Sequence, residues 1–295
     1  MQDVIIIGGG YAGMAAALQL LRARRQVLVI DAGQRRNRFA RTSHGFLGQD
    51  GVDAATIASV AREQLMAYPT LTWIDGLATA ASGHKDDFRV TVPSGEEYSA
   101  RRLLFATGVA DELPPIPGLA ERWGTSVFHC PYCHGYELDQ GAIGVIASGP
   151  MSAHQAQLLP DWGPTTYLNY ASMPLADDTR QNLLNRGVTI EDTLIDKIEG
   201  EADVLLTDGR RLPFAGLFII SRCTPASPLA GAMGCTLMDT PLGTQIQTSD
   251  GKETSIPGVF ACGDVARIPH SVSLAVGDGA WAGAQLHGSL VWPDS

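Results

Sequence analysis

The chain has 295 residues, room for about two domains, and its 45% hydrophobic content is ample for ordinary globular cores. A net charge of −10 argues against a nucleic-acid partner held by charge. The acidic start Met1-Gln2-Asp3, the lack of an apolar run near the ~18 residues of a membrane span, and five cysteines with a single CxxC together predict a soluble cytoplasmic protein, with neither a signal segment nor a secreted disulfide framework.

Val4-Ile5-Ile6-Ile7 is a continuous β-branched run, the pattern of a parallel strand buried on both faces. Gly8-Gly9-Gly10-Tyr11-Ala12-Gly13 follows, and Met14, Ala17, Leu18 and Leu21 then repeat at helical spacing. Gly8, Gly10 and Gly13 form GxGxxG: a tight turn, a close approach to a pyrophosphate, and close helix–strand packing. The helix start adds free N–H donors for phosphate. A second strand, Val27–Ile30, ends in Asp31, 18 residues after Gly13, where a carboxylate can accept from a ribose hydroxyl. Strand, glycines, helix, strand and acid at these spacings predict a dinucleotide site.

Beyond Asp31 the sequence predicts a loop over 34–51 in place of a third βα unit, then a helix over Ala54–Met66. Thr70–Gly76, Phe88–Val92 and Glu97–Arg101 read as strands, and Leu103–Gly108 as a buried strand ending in Ala106-Thr107-Gly108. Arginines 22, 24, 25, 35, 36, 38 and 41 form a local cluster, either a solvated helix end or an anion site. Leu113-Pro114-Pro115-Ile116-Pro117-Gly118 is a proline-stiffened crossover, with a return expected near Thr240–Gly243. Between them lie His129-Cys130-Pro131-Tyr132-Cys133-His134, a strand at Ala142–Ala147, a helix through about Leu159 and a strand at Thr165–Asn169. The inserted segment thus opens a second βαβ unit. Near the end, Val259-Phe260-Ala261-Cys262-Gly263-Asp264 reads as a strand closing in Gly-Asp, and a helix begins within His270–Val276. Cys262 reads as a buried structural thiol; Cys223 and Cys235 are assigned no role.

The β-meander leading into Ala-Thr-Gly, the second signature at Gly263-Asp264, and the inserted βαβ segment with CxxC near its start resemble, over essentially the whole chain, the low-molecular-weight thioredoxin reductases. The resemblance implies an α/β fold of two Rossmann-like domains, the second inserted into the first: 1–112 and 244–295 for FAD, and 113–243 for the CxxC-bearing insert. It implies FAD contacts at Gly8, Gly10, Tyr11, Ala12, Gly13, Asp31, Ala32, Asn37, Arg38, His44, Ala106, Thr107, Gly108, Gly263, Asp264, Ser271 and Val272. Asp264 would meet the ribityl chain, and the last helix would point its N-terminus at the flavin pyrimidine edge. Cys133 would be the flavin-side sulfur and Cys130 the exchanging one, its pKa lowered by a helix starting there. His134 stands at the family's acid/base position, and packing or helix capping is its competing reading. A homodimer is also implied.

The departures are local. In the family the insert binds NADPH through GxGxxA and a basic cluster. Here the corresponding positions are Ala147, Gly149 and Ser152, Pro150 lacks an N–H, and Leu168-Asn169-Tyr170 supplies no arginine for a 2′-phosphate. These changes disfavour NADPH. Together with Cys-Pro-Tyr-Cys-His-Gly-Tyr-Glu they resemble a branch of dithiol oxidases that form disulfides in small natural products and pass electrons to oxygen. Related flavoproteins are fed by other donors such as ferredoxin. An NADPH-dependent thioredoxin reductase with a thioredoxin-like partner is the alternative. Zinc binding is disfavoured because no second CxxC exists, and a glutaredoxin reading because of the surrounding flavin-binding frame.

Overall fold

The computed structural model describes residues 1–170 and 175–293. Its first sheet is built as the sequence pattern demands. Strand β1 (Gln2–Ile7) carries Val4, Ile5, Ile6 and Ile7 at 0–5% exposure, each burial favouring the fold by about 1.5–3 kcal/mol. Helix α1 (Tyr11–Arg22) crosses back to β2 (Val27–Asp31), which pairs with β1 in parallel.

The helix and strand expected over Ala54–Met66 and Thr70–Gly76 both form, but as a third βα unit of the parallel sheet, which the sequence reading did not expect. Helix α2 (Ala54–Met66) leads into β3 (Leu71–Asp75), which pairs with β2 in the register Val27↔Leu71. The loop over 34–51 therefore lengthens a crossover instead of replacing it. Asp53 starts α2 by accepting from the Thr56 backbone N–H at 2.7 Å. The antiparallel meander is β4 (Ala80–His84), β5 (Asp87–Thr91) and β6 (Glu97–Phe105). Its last strand is one continuous element and pairs in parallel with β1, so Ala106-Thr107-Gly108 lies just past the strand end.

The crossover strand β7 (Val109–Glu112) leaves this domain. The insert holds a five-stranded parallel sheet of β8 (Val127–Phe128), β9 (Ile143–Ile146), β10 (Thr165–Leu168), β11 (Thr189–Glu191) and β15 (Gly216–Ile219), in the order β8-β15-β9-β10-β11. Helices α3 (Pro131–His134), α4 (Ser152–Leu158) and α5 (Asp177–Asn185) interrupt these strands. A small antiparallel sheet, β12 (Ile195–Glu199), β13 (Asp203–Leu206) and β14 (Arg211–Leu212), flanks them.

The chain returns through β16 (Arg222–Pro225), antiparallel to β7. Helix α6 (Leu229–Ala232) and strands β17 (Leu237–Thr240) and β18 (Gly243–Ile246) follow. Leu229, Ala230, Cys235 and Ile246 pack in one core with Ile5, Leu28 and Phe105. The return therefore falls ahead of the Thr240–Gly243 crossing expected from sequence. Strand β19 (Val259–Ala261) then joins β6, and α7 (Val272–Val291), capped by Ser271 accepting from Leu274 N–H at 3.1 Å, packs along α1. Among the described residues no helix is long and apolar enough to cross a membrane.

Candidate functional site

Residues from both halves of the first domain converge at the end of β1. Gly8 has φ +106°, and a Cβ there would lie 2.4 Å from the Ala106 carbonyl oxygen; a Cβ on Gly13 would lie 1.9 Å from the carbonyl oxygen of Gly8. Only glycine allows this loop to fold under α1. A Cβ on Gly10 would meet nothing within 4 Å, so the turn opens outward above the helix start. Gly263 comes so close to Ala12 that its Cβ would be 2.6 Å from that of Ala12. Asp31 accepts from Gly9 N–H through Oδ1 at 3.1 Å.

Asp264 shows what this cleft awaits. Its Oδ1 is sealed from solvent and lacks a hydrogen-bond partner, and burial raises its pKa against the opposing charges of His270 and Arg36. A buried acceptor without a donor is costly, and a ribityl hydroxyl would satisfy it. The open turn at Gly10, the Asp31 carboxylate and this orphaned oxygen fit FAD.

The remaining predicted contacts divide. Tyr11 and Asn37 are tied together, with Asn37 Nδ2 donating to the Tyr11 hydroxyl at 3.2 Å and to Ser43 Oγ at 3.3 Å. Arg38 faces outward, stacked on Phe39 and donating to the Arg35 carbonyl at 2.8 Å. Ala32 follows β2, while Thr107 and Gly108 lie in the loop between β6 and β7. Ser271 and Val272 form the start of α7. His44 turns toward the insert, its Nδ1 3.4 Å from Glu137 Oε1 and 3.6 Å from Asp50 Oδ1.

Cys130 and Cys133 form a disulfide with Cα atoms 5.3 Å apart. Cys130 is the N-cap of α3, and Pro131 occupies the first turn, where its missing N–H costs nothing. The helix is a single turn, so only a short stretch of aligned peptides points its dipole at Cys130. Tyr132 and Tyr136 are exposed on either side of Cys133, and the Tyr132 ring meets Trp162 edge-on at 5.3 Å. His134 stacks on Phe128 with centroids 4.2 Å apart. Burial, and then the charge of His44, pull its pKa down to about 4, so it is a neutral proton acceptor at pH 7. His129 is pulled to about 3 by burial and by the charge of Arg36.

The sequence reading missed a polar cluster joining the two crossover strands to the cleft. Arg36, read only as one of seven clustered arginines, donates two hydrogen bonds to Asp111 on β7, at 2.9 and 2.6 Å. It also lies 2.9 Å from His270 Nδ1 and 3.6 Å from Asp264 Oδ2, and donates to Cys223 Sγ on β16 at 3.4 Å. Burial opposes the charge on Asp111, yet the Arg36 bonds prevail and hold its pKa at about 2. Burial pushes the Cys223 thiol up to about 11, so it is an inert packing group. Arginine clustering was the one signal available; its acidic partner lies 75 residues away.

In the insert the second strand–loop–helix differs. Ser152 Oγ accepts from the backbone N–H groups of Ser148 and Gly149, at 3.0 and 3.2 Å. Those are the amides a pyrophosphate would need. A Cβ on Gly149 would meet nothing within 4 Å, so the loop is sterically open while these two donors are engaged. Asn169 Oδ1, at the end of β10, is buried without a partner, an acceptor where a 2′-phosphate needs donors.

Comparison with known proteins identifies the family. The family model for pyridine nucleotide-disulphide oxidoreductases matches residues 2–279. A thioredoxin reductase of Claviceps purpurea, tcpT, is 30% identical, over 98% of this chain and 94% of its own length. An oxidoreductase structure from Agrobacterium tumefaciens is 52% identical with a TM-score of 0.97, covering 99% of both chains. The structure of HlmI is 34% identical with a TM-score of 0.91, covering 99% of this chain and 93% of that one. The chain belongs to the pyridine nucleotide-disulphide oxidoreductase family, as a thioredoxin reductase-like, FAD-dependent disulfide oxidoreductase.

Proposed function

We propose that this enzyme is a dithiol oxidase: it takes two electrons from a small substrate dithiol at Cys130–Cys133 and passes them through FAD to oxygen. One observation carries the reading. Ser152 Oγ holds two amides of the second nucleotide loop, and the buried Asn169 Oδ1 offers an acceptor where a 2′-phosphate needs donors, which favours the dithiol itself as the electron source. Exposed Tyr132 and Tyr136 beside the disulfide give a small substrate apolar contact. By likeness to the family the enzyme works as a homodimer, and the buried free thiols suit a cytoplasmic setting.

The substrate thiolate attacks Cys130 Sγ. The Cys130–Cys133 bond breaks, a mixed disulfide forms, and Cys133 leaves with the electron pair. The second substrate thiol then attacks the mixed disulfide, releasing the oxidised product and a Cys130 thiol. His134 Nδ1 or Nε2, neutral at pH 7, removes the proton from the attacking thiol. FAD, held by Gly8–Gly13, Asp31 and Asp264, would accept the pair from Cys133 and deliver it to oxygen. The chain's part is to orient the sulfurs and manage the protons.

Cys130→Ser and Cys133→Ser test this in an oxygen-uptake assay over a panel of small dithiols. Each should lose turnover at least a thousandfold while FAD stays bound; full activity in either variant would sink the proposal. A second reading, an NADPH-dependent thioredoxin reductase, is favoured by the names of several relatives and runs the same sulfurs in reverse.

A further inference from the structure

We infer that Arg36 is a positioning residue for the cofactor: held by Asp111, its guanidinium fixes Asp264 Oδ2 and so turns Oδ1 toward the ribityl chain of FAD. The same group steadies His270, the residue ahead of the Ser271 cap where α7 begins. The inference concerns the FAD cleft and goes beyond the dithiol reading, since it holds for either source of electrons.

The guanidinium is divided between two tasks. One edge, Nε and Nη2, is taken up by the two Asp111 oxygens at 2.9 and 2.6 Å, the fork geometry that fixes an arginine in its plane. Asp111 is itself held by Ser221 Oγ, which donates to Oδ1 at 2.6 Å, and Nη2 also reaches Cys223 Sγ at 3.4 Å. Bracing β7 against β16 requires this edge alone. The remaining corner, Nη1, faces the cofactor cleft instead. It donates to His270 Nδ1 at 2.9 Å and lies 3.6 Å from Asp264 Oδ2. Arginine can only donate, so His270 accepts through Nδ1 and carries its proton on Nε2.

Asp264 depends on that corner. Burial favours its neutral form, and His270 and Arg36 are the cations that oppose this. Burial also lowers the His270 pKa from its usual 6.5, so at pH 7 Arg36 is the charge that Asp264 meets. The two carboxylate oxygens are therefore unequal. Oδ2 faces a fixed cation, while Oδ1 is sealed from solvent without a donor. The main chain beneath is already fixed, since Gly263 N–H donates to Asp278 Oδ2 at 2.8 Å. What remains to be set is the rotation of the carboxylate, and anchoring Oδ2 sets it.

The test is equilibrium dialysis of the whole chain against FAD, with thermal unfolding recorded for each variant. Arg36→Met should weaken FAD binding about tenfold, and Asp264→Asn should weaken it as well. The cycle between them decides. Added to Asp264→Asn, Arg36→Met should bring less than about a twofold further loss, because the group it positions is already gone. A merely structural arginine would lower the unfolding temperature and weaken FAD binding equally in both backgrounds. Arg36→Lys keeps the charge but cannot grip Asp111 by two bonds while facing Asp264, so its affinity should fall between wild type and Arg36→Met. Wild-type affinity in Arg36→Met, or equal losses with and without Asp264→Asn, overturns the inference. If Arg36→Met does not fold, Arg36→Lys takes its place in the cycle, and the same two outcomes overturn it.

Discussion

The chain builds the same strand–loop–helix device twice and furnishes the two turns differently. In the first, three glycines fold the loop beneath α1, Gly10 leaves open space, and Asp31 and Asp264 present acceptors. In the second, α4 is 7 residues against 12 in α1, and the Ser152 hydroxyl engages the amides of Ser148 and Gly149. The topology is shared and the chemistry is not. What makes such a unit a phosphate site is the supply of unengaged N–H donors at its turn, and one serine side chain can consume them without closing the space.

The contrast can be broken from either side. The largest effect is expected at the first loop. Gly13→Ala would drive a Cβ to 1.9 Å from the Gly8 carbonyl, costing roughly 3 kcal/mol of stability and releasing FAD. Thermal unfolding and the flavin absorbance of the purified protein measure both losses; a yellow protein of wild-type stability would contradict the packing argument.

A smaller effect is expected at the disulfide, which lies between the two units. His134 is harder to protonate in the folded protein than in the unfolded chain, its pKa falling from 6.5 to about 4. Its contribution is therefore fully present above pH 6.5 and is lost as pH falls toward about 4, by roughly 3 kcal/mol. His134→Phe should flatten that part of the stability curve, leaving the loss that His129 causes over a range reaching about pH 3. Urea unfolding at several pH values checks it, and unchanged curvature in the variant would count against a buried neutral imidazole.

The smallest effect is a gain. Ser152→Ala frees the Ser148 and Gly149 amides, and paired with Asn169→Arg it supplies one cation for a 2′-phosphate. Slow flavin reduction by NADPH should appear in the double variant and be absent from the parent. If the variant stays inert, engaged donors are not the main obstacle, and the comparison must rest on other residues of the insert.

Local signals were legible and distant ones were not. The strand–GxGxxG–helix, the acid at Asp31, the CxxC pair and the Gly263-Asp264 ending each declare themselves within a few residues, because each is fixed by backbone constraints of its own segment. The Arg36–Asp111–Cys223–His270 cluster draws on four separate segments, so nothing in any one of them announces it. The family resemblance assigns His44 a contact with FAD. Its pairing with Glu137 depends on how the insert docks, which spacing does not encode. Ser152 appeared in the sequence as the closing small residue of the second motif, whereas in the fold its hydroxyl is an active competitor for the loop amides. The strand over Thr70–Gly76 was legible, but the length of the loop ahead of α2 hid its parallel pairing with β2.

The central claim is that electrons enter at the disulfide from a dithiol and not at the insert from NADPH. Anaerobic mixing tests it directly, following flavin absorbance after adding NADPH to one sample of the FAD-loaded enzyme and dithiothreitol to another. The account predicts prompt bleaching with dithiothreitol and none with NADPH. Prompt bleaching by NADPH would contradict it and establish the insert as a working nucleotide domain.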